Sequence, residues 1–485
     1  MKRVTRLLYI PLSLLFCFVQ SITDQRIYAE TVNPPFGRPD AYGQSAITYP
    51  KTTARPFAQT NARPQKNASA DGRLSLRNYV STDSSETYET PTLILSFLEA
   101  DLHLKDLNSS GLRVDLDSTF ILDISQANER RFGETERFDQ VRNFSITQPL
   151  GSFTLSLGRR LITKAGNAWV DGLDARYHFN QRQSSIGVYG GLSPDRFDRS
   201  LTLKYQALGG YVSHHQDRLD LSAAYNLILN QGELDRQYLY QRTHYRLVEG
   251  LYLSNYLILD FVDDPQVTTF LSTLDYTPIK SLNFSLNLTQ YSLEQYRNQA
   301  IYRDVVEPNQ ALILGNEVVD LTYQRLRVSA SWRINRLFRP YISTELKSRA
   351  QDGRRAFIYT TGLNHQDLFS SKVDVDFQIQ FAENFRTDTL IIALSLRRDL
   401  TSTLSLDARV TSFSGEMIDG GTDRQALFNE AQRIYLFGLS VVGRLTKAHQ
   451  ILATYDSVYE SEIADYKSDE SITIHTFSLF YSYLY

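Results

Sequence analysis

"KVDVDFQIQF", residues 372–381, sets Val373, Val375, Phe377, Ile379 and Phe381 against Asp374, Asp376, Gln378 and Gln380. Side chains alternate across a β-strand, so this stretch is a strand with one apolar and one polar face. The pattern recurs along the chain. In "LDLSAAYNLIL" (219–229), Leu219, Leu221, Ala223, Tyr225, Leu227 and Leu229 share one face, and in "SLNFSLNLTQY" (281–291) Leu282, Phe284, Leu286 and Leu288 do. These runs extend for about 12–14 residues, where a globular strand has about 5–6. A membrane β-strand needs about 9–11 residues to cross the hydrocarbon. Length therefore separates this pattern from a soluble all-β sandwich, enzyme or lectin.

The connections alternate in size. Tight links such as "TKA" (446–448), "LTS" (400–402), "NRL" (335–337) and "VEG" (248–250) are interleaved with longer segments at 460–471, 415–431, 294–320 and 127–137. Short turns at one end and long loops at the other are the asymmetry of a membrane barrel. The count predicts an all-β, antiparallel, up-and-down transmembrane barrel over 72–485 with about 22 strands, 20 to 24 being allowed. An even number returns both termini to one side.

The 485 residues carry a formal net charge of −3, which gives no footprint for nucleic acid. Thirty Tyr and 26 Phe against two Trp suit strands. "MKRVTRLLYIPLSLLFCFVQS" begins with a basic segment and continues with an apolar run too short for a membrane helix, the pattern of a secretory signal. The expected signal peptide is 1–29, ending at Ala29. Cys17, the sole cysteine, lies inside it. The mature chain then has no thiol for a disulfide, a metal site or nucleophilic chemistry. Residues 30–71, rich in Pro, Asn, Ala, Thr and Gln, read as a flexible periplasmic tail.

The chain closes on "FSLFYSYLY". Phe477, Leu479, Tyr481, Tyr483 and the terminal Tyr485 alternate with the remaining residues. This ending resembles the C-terminal β-signal of bacterial outer-membrane proteins. The resemblance implies recognition by the barrel-assembly machinery, an outer-membrane address and a lipid-facing aromatic stripe. "TLSLGRRLITKAGNAWVDGLDARY" (154–177) resembles the "GR…DG" hairpins of porin-like and polysaccharide-export channels. A count near 22 is similar to TonB-dependent transporters, but residues 30–71 are too few for the plug domain of that family.

Strand phase assigns the lumen. Burying Arg or Lys on the lipid face costs about 2–4 kcal/mol at the midplane, so mid-strand charges belong inside. The expected pore-lining residues are Arg325, Arg327, Arg333, Arg339, Glu345, Lys347, Arg349, Asp374, Asp376, Arg397, Asp407 and Arg409, with Asp174, Arg176, Arg242 and Arg246 in the same phase. Such charges either orient solutes in a hydrophilic passage or pair along neighbouring strands. The 294–320 loop, with Ile301, Val305, Val306 and Leu312, either folds inward and narrows the pore or covers neighbouring loops.

There is no G-x-S-x-G and no H-E-x-x-H, and the adjacent His214 and His215 point to opposite faces of a strand. No catalytic residue, cofactor or metal is assigned. The expectation is a porin-like channel, not an enzyme, passing polar or charged solutes by diffusion. One alternative is a sheath or export conduit for a periplasmic partner protein or a polysaccharide. A second is an outer-membrane hydrolase with its site assembled across strands.

Overall fold

A computed structural model describes residues 68–84, 93–108, 111–123, 137–195, 200–261, 265–292, 322–350, 353–384, 387–417, 432–461 and 472–484. They form 22 strands. The first half comprises β1 (Ser69–Ser84), β2 (Leu93–Lys105), β3 (Arg113–Asp123), β4 (Arg137–Leu150), β5 (Phe153–Ile162), β6 (Ala168–Phe179), β7 (Ser184–Leu192), β8 (Tyr205–Gln216), β9 (Leu219–Asn230), β10 (Glu233–Val248) and β11 (Leu251–Asp260). The second comprises β12 (Gln266–Ile279), β13 (Leu282–Ser292), β14 (Thr322–Trp332), β15 (Phe338–Arg349), β16 (Arg355–His365), β17 (Val373–Glu383), β18 (Thr387–Asp399), β19 (Leu404–Met417), β20 (Gln432–Arg444), β21 (His449–Ser461) and β22 (Ile472–Leu484).

Each strand pairs antiparallel with its sequence neighbours, as β13 with β14 and β17 with β18. β22 returns to pair with β1 from Arg73↔Leu484 to Ser84↔Thr473, so the sheet has no free edge. Closure satisfies every backbone ladder, which hydrocarbon requires of a spanning sheet. The barrel opens at Ser69, three residues before the expected boundary. Among the described residues there is no helix longer than a single 3-10 turn, and no plug domain.

The tight turns explain themselves locally. The Asn335 side-chain oxygen accepts from the backbone N–H groups of Leu337 and Phe338, both at 2.8 Å. Thr446 accepts from Ala448 and His449 in the same way, and Thr401 from Thr403 and Leu404. These are Asx- and ST-type turns, which reverse the chain in few residues. The expected alternation of short and long connections holds in part: β9 and β10 are joined by only two residues, 231–232, on the long-loop side, and β16 and β17 by seven, 366–372, on the short-turn side.

The outer face is an apolar belt. Leu157 and Val188 are each 60% exposed, and Val328, Trp332, Ile342, Phe381 and Val410 are exposed with them. All lie on the apolar phase of their strands. In water such a surface would be an aggregation hazard; it fits lipid. The opposite phase is polar, and buried Ser, Thr and Asn such as Ser145, Asn226, Ser285 and Asn287 line it.

Candidate functional site

The packed core of this protein is inside the lumen. β5 and β6 pair with Leu157↔Leu173 on the outer face, then Gly158↔Gly172, and continue to Ile162↔Ala168. Beyond the glycine pair the hairpin leaves the wall. Gly158 has φ +118°, and a Cβ there would lie 2.1 Å from the Phe144 carbonyl oxygen. A Cβ on Gly172 would lie 2.2 Å from the Gly190 oxygen and 2.7 Å from the Gly191 Cα. Only glycine permits that backbone angle and that approach.

The hairpin bends inward as a hook, tipped by the 3-10 turn Thr163–Ala165. Ile162, Ala165, Ala168 and Val170 are buried against Tyr189, Ala207, Tyr211, Ala224, Tyr238, Tyr240 and Ile258. Those wall residues occupy the lumen phase of β7 to β11, opposite exposed Val188, Leu208, Val212, Tyr225 and Leu239. Gly166 rests so close to Tyr240 that a Cβ would meet its ring at 2.8 Å. Burying Ile162 and Val170 fully stabilises the docked hook by about 1.5–3 kcal/mol each.

Ion pairs complete the docking. Arg159 holds Asp171 across the hook's two legs, with Nε–Oδ1 and Nη2–Oδ2 both at 2.6 Å. Asp174, on the β6 wall and 1% exposed, accepts from the Tyr211 hydroxyl at 2.7 Å. Arg160 of the hook approaches it to 3.2 Å and Arg176 of the wall to 3.3 Å. Arg176 also donates through Nε to Tyr211 at 2.9 Å. One buried carboxylate thus accepts hydrogen bonds from Tyr211 and Arg176 of the wall and pairs ionically with Arg160 of the hook.

The sequence-derived lining residues lie elsewhere on the ring. Arg327 stands opposite Glu345, and Arg325 opposite Lys347. Glu345 takes Arg325 at 3.7 Å and Lys347 at 3.3 Å. Arg339 donates to Ser331 at 2.8 Å. Arg349 pairs in register with Tyr323. Arg333 follows the end of β14 in the turn, exposed, so it sits at the short-turn rim and not within the wall. Asp374 accepts from the Asp367 backbone N–H at 3.1 Å, and Asp376 from Tyr341 at 3.2 Å and Asn364 at 3.4 Å. Arg397 stands between Asp374 and Asp407 in register, and Arg409 meets Asp456 at 3.3 Å.

Two sectors emerge. Strands β6 and β17, like β10 and β21, are eleven places apart in a ring of 22, hence on opposite walls. Asp374, Asp376, Asp407 and Asp456 lie on β17–β21, against Arg397 and Arg409. The hook and its wall carry Arg160, Lys164, Arg176 and Arg242. The adjacent histidines part company: His214 bonds Ser184 at 2.9 Å and His215 approaches Asp220 at 3.5 Å.

Phe477, Leu479, Tyr481 and Tyr483 all lie exposed on the outer face at the seam. The rings of His449 and Tyr483 are 4.9 Å apart, and His449 Nδ1 is 2.6 Å from the Tyr481 hydroxyl. Tyr485 and the 294–320 loop lie outside the described residues.

No protein-family model and no curated protein matches this chain. Among solved structures the chain has distant likenesses. The chain is similar to Pseudomonas aeruginosa OccK11 (OpdR), with 12% identity and a TM-score of 0.40 over 86% of this chain and 96% of that one. P. aeruginosa OccK2 (OpdF), solved in complex with glucuronate, gives 12% identity and a TM-score of 0.41 over 86% and 98%. Acinetobacter baumannii OccAB3 gives 9% and 0.41 over 86% and 99%.

The hook lies within the "GR…DG" segment 154–177, but its inward packing is not among the features read from sequence. Its signal is present in "GRRLITKAGNAWVDG" (158–172): glycines at both feet, Arg and Asp just inside them, and an apolar tip where a solvated loop would be polar.

Proposed function

We propose that this protein is a channel of the bacterial outer membrane that passes polar or charged solutes by diffusion, with the β5–β6 hook setting its width. The observation that carries this reading is a polar lumen partly filled from one wall by a packed, ion-paired hook. A tip held by buried apolar contacts narrows the passage without closing it off as a plug domain would. The path runs between the hook and the β12–β22 wall. There Arg325, Arg327 and Lys347 meet Glu345, and the acidic β17–β21 sector faces the cationic hook. Charges of both signs across a narrow passage orient polar solutes and set ion preference.

The inward hook weighs against a sheath for a folded partner, which would need the lumen free. His214 bonds the Ser184 hydroxyl, but among the described residues no carboxylate orients that imidazole, since Asp220 approaches His215 instead, so this pair lacks the acid a hydrolase triad needs. We further place both termini in the periplasm, with residues 1–29 removed on export and the last strand read by the assembly machinery.

Planar-bilayer recording of the purified barrel tests the channel. Stable ohmic steps are expected. Replacing Arg160–Val170 by a two-residue Asn-Gly turn should raise the single-channel conductance severalfold, because Gly158 and Gly172 then close an ordinary hairpin. A silent wild-type barrel that copurifies with a periplasmic protein would overturn the reading in favour of the conduit.

A further inference from the structure

Under the hook tip lies a recess of about 260 Å³, below the roughly 300–1,000 Å³ of sites for drug-sized ligands. Three cations reach it from three elements: Lys164 from the hook, Arg182 from the β6–β7 turn and Arg242 from the β10 wall. One carboxylate, Asp220, lies among them, with the hydroxyls of Ser185 and Ser213. Three cations against one carboxylate leave an excess of two positive charges from these four groups.

These cations have donors to spare. Lys164 Nζ uses two of its three on Ser213 at 2.8 Å and Ser185 at 3.4 Å. Arg242 touches Asp220 only distantly, at 3.8 Å, and its buried Nε has no hydrogen-bond partner. An unmet buried donor on a cation costs free energy that a bound acceptor would recover. The neighbouring cavity of about 300 Å³ is also basic, but Asp174 stands 3.2 Å from its Arg160 and 3.3 Å from its Arg176, closer than Asp220 stands to Arg242.

We propose that this recess is a binding site for a compact tetrahedral oxyanion of the phosphate or sulfate type, clasped by Lys164, Arg182 and Arg242. Donors converging from three directions suit a multivalent tetrahedral anion better than a planar carboxylate, which one Arg fork can satisfy. Because one donor belongs to the hook and the others to the turn and the wall, the anion staples the hook in place.

Titration calorimetry of the full-length barrel in detergent, with sodium phosphate against sodium acetate at equal pH and ionic strength, tests the site independently of conduction. Phosphate is expected to bind at least tenfold more tightly than acetate. The R182Q/R242Q double variant should lose at least tenfold in phosphate affinity while keeping its folded mobility on unboiled gels. Should the double variant fail to fold, R182Q alone, on an exposed turn, should still weaken phosphate severalfold. Equal affinity for acetate, an absence of saturable heat with phosphate, or R182Q binding phosphate as wild type does would each overturn the proposal.

Discussion

The Arg160 guanidinium of the hook lies 3.2 Å from the Asp174 carboxylate of the β6 wall, and that carboxylate is almost wholly buried. Removing one partner of a buried pair leaves the other charge uncompensated, at about 3–5 kcal/mol. Asp174→Ala strips the counter-charge from Arg160 and Arg176 and the acceptor from Tyr211 together. The barrel ladder does not depend on Asp174, so the loss falls on the docked hook. The expected result is a folded barrel with larger, noisier conductance steps in planar bilayers. Steps identical to wild type would show that the apolar tip alone fixes the hook.

The glycine feet give a second expectation. Gly158→Val adds a side chain where φ is +118° and where a Cβ would fall 2.1 Å from a backbone oxygen. Strain of this kind costs about 1–3 kcal/mol before the clash is counted. The bend should fail and the hook should not seat. Gly353, with φ +65° but nothing near its Cβ position, is the matched control, and Gly353→Ala should be milder. Protease accessibility of the 159–171 segment in the folded barrel distinguishes them: cleavage is expected in the first variant and not in the second.

How far the sequence revealed all this depended on periodicity. Alternation along "KVDVDFQIQF" and its like exposed the wall, because a sheet with lipid on one side and water on the other imposes period 2 on every strand. The even strand count follows from turn spacing, and the lipid-facing stripe of β22 from the aromatic last strand. The "GR…DG" segment is legible, but its inward fold is not, because that packing is tertiary. Ile162, Ala165, Ala168 and Val170 look like a short apolar loop until Tyr189, Tyr238 and Tyr240, on strands further along, supply the surface they bury against. The 294–320 loop stands out because length is visible in a sequence, but whether it folds inward or covers its neighbours is not. Arg333 was placed in the wall for a related reason: phase predicts which side a residue takes, but the ladder ends at Trp332.

Arg325 and Arg327 should govern ion preference far more than Arg333. Both stand in the wall beside Glu345, whereas Arg333 is exposed at the rim. Arg325→Glu with Arg327→Glu should move the reversal potential in a KCl gradient toward cation preference. Arg333→Glu alone should move it little. Glu345→Gln should act in the opposite sense, because it releases Arg325 and Lys347 from their shared carboxylate. If the double reversal leaves the potential unchanged, the passage does not run along β14 and β15.

The seam offers the last test, because there the membrane, the fold and the assembly route meet at one strand. Leu479 lies exposed on the outer face of β22, opposite Asn78 of β1 and Ala453 of β21. An Arg on the lipid face costs about 2–4 kcal/mol near the midplane and less toward the rims. Leu479→Arg should therefore lower the yield of heat-modifiable barrel in outer membranes and weaken its resistance to unfolding. The neighbouring Ser478 lies on the lumen phase, where it is 2.5 Å from Thr454. Ser478→Arg meets a polar interior and should be tolerated far better. Equal loss from both would mean that β22 does not present its odd-numbered residues to lipid, and with it the phase assignment of the entire wall would fall.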